Sequence, residues 1–363
     1  MQAETIYLDH NATTPLRPEA RAAMIEAMGP ALNPSSIHSL GRQARQQVED
    51  ARHQVADAFG ARHADITFTS GGTEANNMVL SAFENVIVSA VEHDAVLAPR
   101  PDAHHLSVDS EGVVRLDELA QLLDNIAEDD KPKTLVSVMA ANNETGVIQP
   151  LAEIAALCAA HKIAFHSDMV QAAGKLPIDL SLEGLSFASF SAHKVGGPTG
   201  VGALWMRPGL QIASLLKGGG QEQGRRAGTE NSLGIIGFGA AITSCVNELS
   251  SMAVLAKMRD EFEQTLLASD KDITILGAGA PRLGNTSAIV FSAMPSAIAL
   301  MALDLKGFCL SSGSACSSGK VKSSHVIEAM GQTKLASHIL RISGGWTTNK
   351  DDFQKLATAL MAL

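Results

Sequence analysis

The feature that most constrains this chain is a series of short apolar or β-branched runs at 66–69, 86–88, 135–138, 163–166, 187–190 and 201–205, separated by stretches of helical or loop character. Strands spaced in this way pair through crossovers rather than tight hairpins, so the alternation predicts an α/β fold with a mostly parallel sheet. Two helices precede it. One is expected over 17–28, with Pro18 in the first turn and Gly29-Pro30 as the stop. The other is expected over 41–59, where Ala44, Val48, Ala51, Val55 and Phe59 recur every three or four residues and Gly60 follows as a C-cap.

The pattern then changes. A long helical stretch over 232–269 is followed by a strand at 288–291, a helix at 296–305, a strand at 308–311 and a last helix at 351–360. With 363 residues the chain exceeds one ordinary domain. The change places a boundary near 245–248, giving a large domain over 16–245 and a small domain made of 1–15 and 246–363, with the long helix as the connector.

Charge and cysteine usage narrow the function. Lys plus Arg number 28 against 38 Asp plus Glu, a formal charge of −10, and aromatics make up 4%, a balance that disfavours nucleic-acid partners. The four cysteines, Cys158, Cys245, Cys309 and Cys316, form no CxxC pair, which disfavours a metal site or a disulfide framework and suits a reducing compartment. The N-terminus carries no basic leader, and the most apolar stretch, 234–246, is short and holds three glycines. A cytoplasmic protein with no membrane partner is expected.

Four segments carry chemistry. Ser191-Ala-His-Lys194 ends a strand and enters a glycine-rich loop, a setting in which a lysine can meet a bulky planar cofactor as a Schiff base, although on spacing alone a surface loop lysine is the favoured reading. Asp168 closes an apolar run where parallel sheets gather ligands, and pairs there with a pyridinium nitrogen or caps the next helix. Thr69-Ser-Gly-Gly72-Thr73 is a strand, a glycine turn and a helix start that suits a phosphate monoester, without the Walker spacing or GxGxxG; an ordinary capped helix has the same signature. Ser312-Gly-Ser-Ala-Cys316 sets a thiol among small polar residues, unlike the apolar surroundings of Cys158 and Cys245, and marks Cys316 as a candidate nucleophile on a glycine-flanked loop.

Taken in order with Tyr7-Leu-Asp-His-Asn-Ala-Thr-Thr-Pro, Asn33-Pro-Ser-Ser-Ile-His38, Val91-Glu-His93, Asn142-Asn143-Glu-Thr-Gly, Arg226-Ala-Gly-Thr229 and Arg341-Ile-Ser, these segments resemble the cysteine desulfurases of the NifS/IscS type, in the class V aminotransferase family of pyridoxal 5'-phosphate (PLP) enzymes. The resemblance spans nearly the whole chain. It implies the PLP-dependent transferase fold type I, with a mostly parallel seven-stranded sheet in the large domain and a smaller α+β domain carrying the cysteine loop. Lys194 would bind PLP covalently and shuttle protons. Asp168 would pair with the pyridine nitrogen, Gln171 with the phenolic oxygen, and His93 would stack on the ring and take part in proton transfer. The phosphate would lie among Gly72, Thr73, Ser191 and His193, with Thr229 from a second subunit of a homodimer. Asn143 would contact cofactor or substrate; Arg341, and on the substrate side Asn33, would hold L-cysteine. No metal is implied. The products would be L-alanine and a Cys316 persulfide, passed to an acceptor protein such as an iron–sulfur scaffold or a thiolation target. The same residues resemble a selenocysteine lyase or another class V aminotransferase, and more remotely an inactive scaffold. The chain departs from the family's Arg-Phe-Ser-Leu-Gly-Arg-Phe-Thr by placing Trp346 where the second arginine stands.

Overall fold

In the computed structural model, residues 5–29, 33–313 and 323–363 are described. Cys316 lies outside them. Helix α1, Pro18–Ala27, and helix α2, Ser39–Ala58, follow the expected spans closely. Helix α2 starts earlier than its apolar repeat because the His38 ring accepts a hydrogen bond from Gly41 N at 3.2 Å and supplies a cap.

Seven strands form the main sheet: β2 (Ile66–Thr69), β3 (Asn85–Ser89), β4 (His104–Leu106), β5 (Thr134–Ser137), β6 (Ala164–Asp168), β7 (Leu185–Ser191) and β8 (Gly202–Met206). Their order is β2-β8-β7-β6-β5-β3-β4. Only β8 runs against the rest, antiparallel to both neighbours. The short glycine-rich connection from β7 leaves no room for a crossover, so the strand must come straight back. Helices α3 (Gly72–Leu80), α4 (Asp94–Leu97), α5 (Leu116–Asp124) and α6 (Leu151–His161) link the parallel strands.

The expected single helix over 232–269 is two: α7, Ser232–Asn247, and α8, Ser251–Leu267, bent by 71°. The apolar stripe changes its core at the bend. Ile235, Phe238, Ile242 and Cys245 join the cluster beneath the main sheet, whereas Leu255, Phe262 and Leu266 join a second cluster. Close packing holds α7 in place, since a Cβ on Gly237 would lie 2.7 Å from Met24 Sδ in α1, and one on Gly239 would lie 2.3 Å from Gln54 Oε1 in α2. No single described helix is long and apolar enough to cross a membrane.

The second cluster draws on Ile6, Leu8 and residues from Leu255 to Leu360. It lies around an antiparallel sheet of β9 (Ile273–Ile275), β10 (Thr286–Phe291) and β12 (Ile339–Ser343), ordered β12-β10-β9. Helices α9 (Ser296–Asp304) and α11 (Lys350–Met361) pack on it, and α10, His325–Ala329, precedes β12. The N-terminal strand β1, Ile6–Tyr7, pairs parallel to β11, Phe308–Cys309. Beyond β11 the expected strand over 308–311 gives way to a single bridge from Ser311 to Arg341. Residues 9–14 therefore leave the second cluster and cross the ends of β6 and β7, where the chemistry-bearing residues gather.

Candidate active site

Lys194 ends a single helical turn, Ala192–Lys194, directly after β7. Gly196, at φ +85°, lets the chain fold tightly there, because a Cβ would lie 2.5 Å from Arg17 Cγ. The Lys194 ammonium donates to the main-chain carbonyls of Asn11 and, at 2.8 Å, Ala12. Burial and the neighbouring Arg341 cation pull its pKa down to about 8, against the opposing pull of Asp168 and Asp9.

Asp168 lies at the carboxyl end of β6, buried, and accepts from Asn76 Nδ2 at 2.7 Å on one oxygen and from Val170 N at 2.9 Å on the other. It caps a turn rather than a helix. Gln171, in that turn, donates from Nε2 to the Asn11 carbonyl at 2.9 Å, and its Oε1 accepts from Lys175 Nζ at 2.6 Å. Asn11 is thus a hub, tying Gln171, Lys194 and Lys175 together and donating to the Asn143 carbonyl at 3.2 Å. The sequence reading gave no role to Asn11, Asn76 or Lys175. Asn11 and Asn76 lie within the quoted segments or just beside them, but the contacts that matter join residues far apart in the chain and leave no periodic signal.

Arg341, on β12, donates from Nη2 to Asp9 at 2.7 Å and from Nη1 to the Asn143 carbonyl at 3.3 Å, while its buried Nε has no partner among the described residues. Ser191 is buried at the end of β7, and Gly72, at the start of α3, faces it: a Cβ on Gly72 would lie 2.7 Å from Val170 Cγ2 and 3.6 Å from Ser191 Cβ. His193 shares a hydrogen bond with Thr13 Oγ1 at 3.2 Å, and burial together with Lys194 pulls its pKa down to about 4, so the ring is neutral at pH 7. His93 caps α4 by accepting from Ala95 N at 3.0 Å on Nδ1, which places the proton of the neutral ring on Nε2. Beside it Glu92 is fully buried, accepts from Ser89 Oγ and Met139 N, and leaves Oε2 without a partner among the described residues; burial pushes its pKa up to about 8.

Three candidates stand apart from this network. Thr73 is exposed on the first turn of α3. Thr229 is exposed beside a cavity of about 100 Å³ that it lines with Ser70 and Arg226, next to that turn. Asn33 turns its side chain back onto Ser35 N at 3.0 Å. Hydrogen bonds among the described residues connect none of them to Lys194.

A planar phosphorylated aldehyde such as PLP fits these groups. The amine is largely neutral a little above pH 8, its partners are carbonyls rather than an acid, a carboxylate is held at the strand end, and the glycine at the α3 start leaves a cradle that any side chain would fill.

The family description Aminotransferase class-V matches residues 6–356. The chain is 41% identical over 369 residues to a protein of Dictyoglomus turgidum named cysteine desulfurase IscS, covering 96% of this chain and 91% of that relative. A NifS-like protein from Rickettsia africae has a solved structure that superposes with a TM-score of 0.92 at 36% identity, covering 99% of both chains. A structure titled SspA in complex with cysteine superposes with a TM-score of 0.79 at 27% identity, covering 93% of this chain and 98% of the other.

Proposed function

The chain belongs to the class V aminotransferase family, with the fold of its NifS-like members, and we propose that it works within it as a cysteine desulfurase, a PLP-dependent enzyme that transfers sulfur. The observation that carries the reading is a pre-set lysine with pKa near 8, held at the end of β7 beside a carboxylate and an arginine in a chain whose relatives bear that activity.

When bound, PLP supplies an electron sink for negative charge at the substrate Cα. Lys194 would hold it covalently and, once released, move a proton at that carbon, which its depressed pKa suits. Asp168 would face the pyridine nitrogen, Gln171 would donate to the phenolic oxygen, and His93 would lie against the ring. Gly72, Thr73, Ser191 and a neutral His193 would surround the phosphate, joined by Thr229 of a second copy in a homodimer, to which the exposure of Thr229 leaves it open. Arg341 would take the substrate carboxylate, with its free Nε and the long contact to Asn143 leaving donors for it, and Asn143 and Asn33 would line the same side. The sulfur of L-cysteine would pass to Cys316, leaving L-alanine and a persulfide. A cytoplasmic acceptor, an iron–sulfur scaffold or a thiolation target, would take that sulfur. The division into 16–245 and the remainder belongs to the same proposal, supported by the separate apolar cluster of Ile6, Leu8 and 255–360.

The test is a visible spectrum with PLP, followed by quantified alanine and persulfide on wild type and Cys316→Ala. A yellow protein that makes alanine from L-cysteine and carries sulfur only when Cys316 is present supports the reading. Full L-cysteine turnover in Cys316→Ala moves the function to a lyase or another aminotransferase, and failure to take up PLP leaves an inactive scaffold.

A further inference from the structure

Lys175 is the second lysine of the site, and the reaction proposed above gives it no task. It follows Gly174, whose φ of +68° reverses the chain at a point where a Cβ would lie 2.2 Å from Cys245 Sγ. The reversal brings Lys175 back beneath its own turn, where Nζ donates to Gln171 Oε1 at 2.6 Å and to Asn11 Oδ1 at 3.1 Å. Asn11 Oδ1 is fixed from a second direction by Asn285 Nδ2 at 2.9 Å. An ammonium only donates. Both of its acceptors must therefore be oxygens, and with the Asn11 carbonyl accepting on the other side the Gln171 carboxamide has one orientation: Oε1 toward Lys175 and Nε2 toward Asn11, its other N–H without a partner among the described residues.

We propose that Lys175 is a positioning residue that locks the Gln171 carboxamide so that its Nε2–H is aimed at the phenolic oxygen of PLP. The proposal rests on the reading of Gln171 given above.

The surroundings of Lys175 show what would loosen the lock. Lys194 and Arg341 face it as cations and Cys245 lies on α7 behind it. A cavity of about 40 Å³ adjoins it, shared with His10, Arg17, Cys245 and Glu248. Burial and the two cations pull its pKa down to about 7, so near neutrality part of the population carries a neutral amine, a weaker donor that holds Gln171 Oε1 less firmly.

The experiment uses the full chain loaded with PLP and no substrate, and reads the pH midpoint of the visible band. A donor on the phenolic oxygen favours its anionic form and holds the midpoint down. Lys175→Met is expected to raise the midpoint by roughly one pH unit, and to leave it unchanged when made on a Gln171→Ala background. Lys175→Leu, which likewise removes the donor to Gln171 Oε1, is expected to raise it in the same way, and circular dichroism identifies whichever variant folds. A midpoint equal to wild type overturns the inference. An equal shift with and without Gln171 also overturns it, because the lysine then acts as a bare charge. A wild-type protein that takes up no PLP removes the function proposed above and this inference with it, whereas a yellow wild type with an unmoved Lys175→Met removes the inference alone.

Discussion

Replacing Arg341 by Gln tests the electrostatics of the site through Lys194. In the wild type the lysine sits near pKa 8, lowered first by burial and next by Arg341, and raised by Asp168 and Asp9. At pH 7.5 about a quarter of it is then free amine, against about one part in a thousand for an ordinary lysine. Arg341→Gln removes a cation and also frees Asp9 from its 2.7 Å ion pair, and both changes favour the charged lysine. A rise of about one unit lowers the free-amine fraction at pH 7.5 roughly eightfold. Trace acetylation of the protein without cofactor across pH 6–10, with the Lys194 peptide quantified by mass spectrometry, reads the midpoint directly, since only the free amine reacts. Arg341→Lys, which keeps the charge, is expected to restore most of the wild-type midpoint. An unmoved or lowered midpoint in folded Arg341→Gln would refute the assignment of Lys194's depressed pKa to this neighbour.

Glu92→Gln tests the other strongly displaced group. Its carboxyl is raised from 4.5 to about 8, so the folded state holds a proton that the unfolded chain releases, and this contribution to stability is lost as pH rises from about 4.5 through 8. The variant does not titrate, so its stability relative to wild type, from urea unfolding in the same cofactor state, is expected to increase by about 2–3 kcal/mol between pH 6 and pH 8; parallel curves would mean that Glu92 is ionised in the fold. Gly174→Ala puts a Cβ 2.2 Å from Cys245 Sγ on a backbone of φ +68° and is expected to cost about 2–4 kcal/mol, part of which Cys245→Ala should recover; a neutral Gly174→Ala would show that the turn under Lys175 is loose.

The sequence was most legible where one local segment both forms an element and ends in a reactive group. The runs at 163–166 and 187–190 are strands because their neighbours on the sheet are apolar too, and each delivers its polar residue, Asp168 or Lys194, at the carboxyl end by chain continuity alone. The direction of β8 and the break between α7 and α8 were less legible. The first depends on how little chain joins β7 to β8, and the second on two apolar stripes facing different cores, which in sequence look like one long apolar helix.

What local pattern could not supply is the crossing segment 9–14. Asn11 comes more than 150 residues before Gln171, Lys175 and Lys194 in the chain, yet its carbonyl and side chain serve all three. The arrangement has an electrostatic consequence. A chain with net charge −10 gathers Lys175, Lys194 and Arg341 at one place, and the first two are held there by carbonyl oxygens that give hydrogen bonds without neutralising them. Of the three, only Arg341 has a carboxylate partner among the described residues, Asp9, while Asp168 spends its two oxygens on neutral donors. Burial first, and then Arg341, lower the pKa of Lys194, and burial, Lys194 and Arg341 lower that of Lys175; carbonyl partners give hydrogen bonds without adding the opposing charge that a directly paired carboxylate would bring, and leave a positive potential for an anion arriving from solvent. The neutral partners of Lys175 and Lys194 therefore leave the effect of burial and of the neighbouring cations in force near neutral pH, and they are supplied by a turn and a crossing segment that no single stretch of sequence contains.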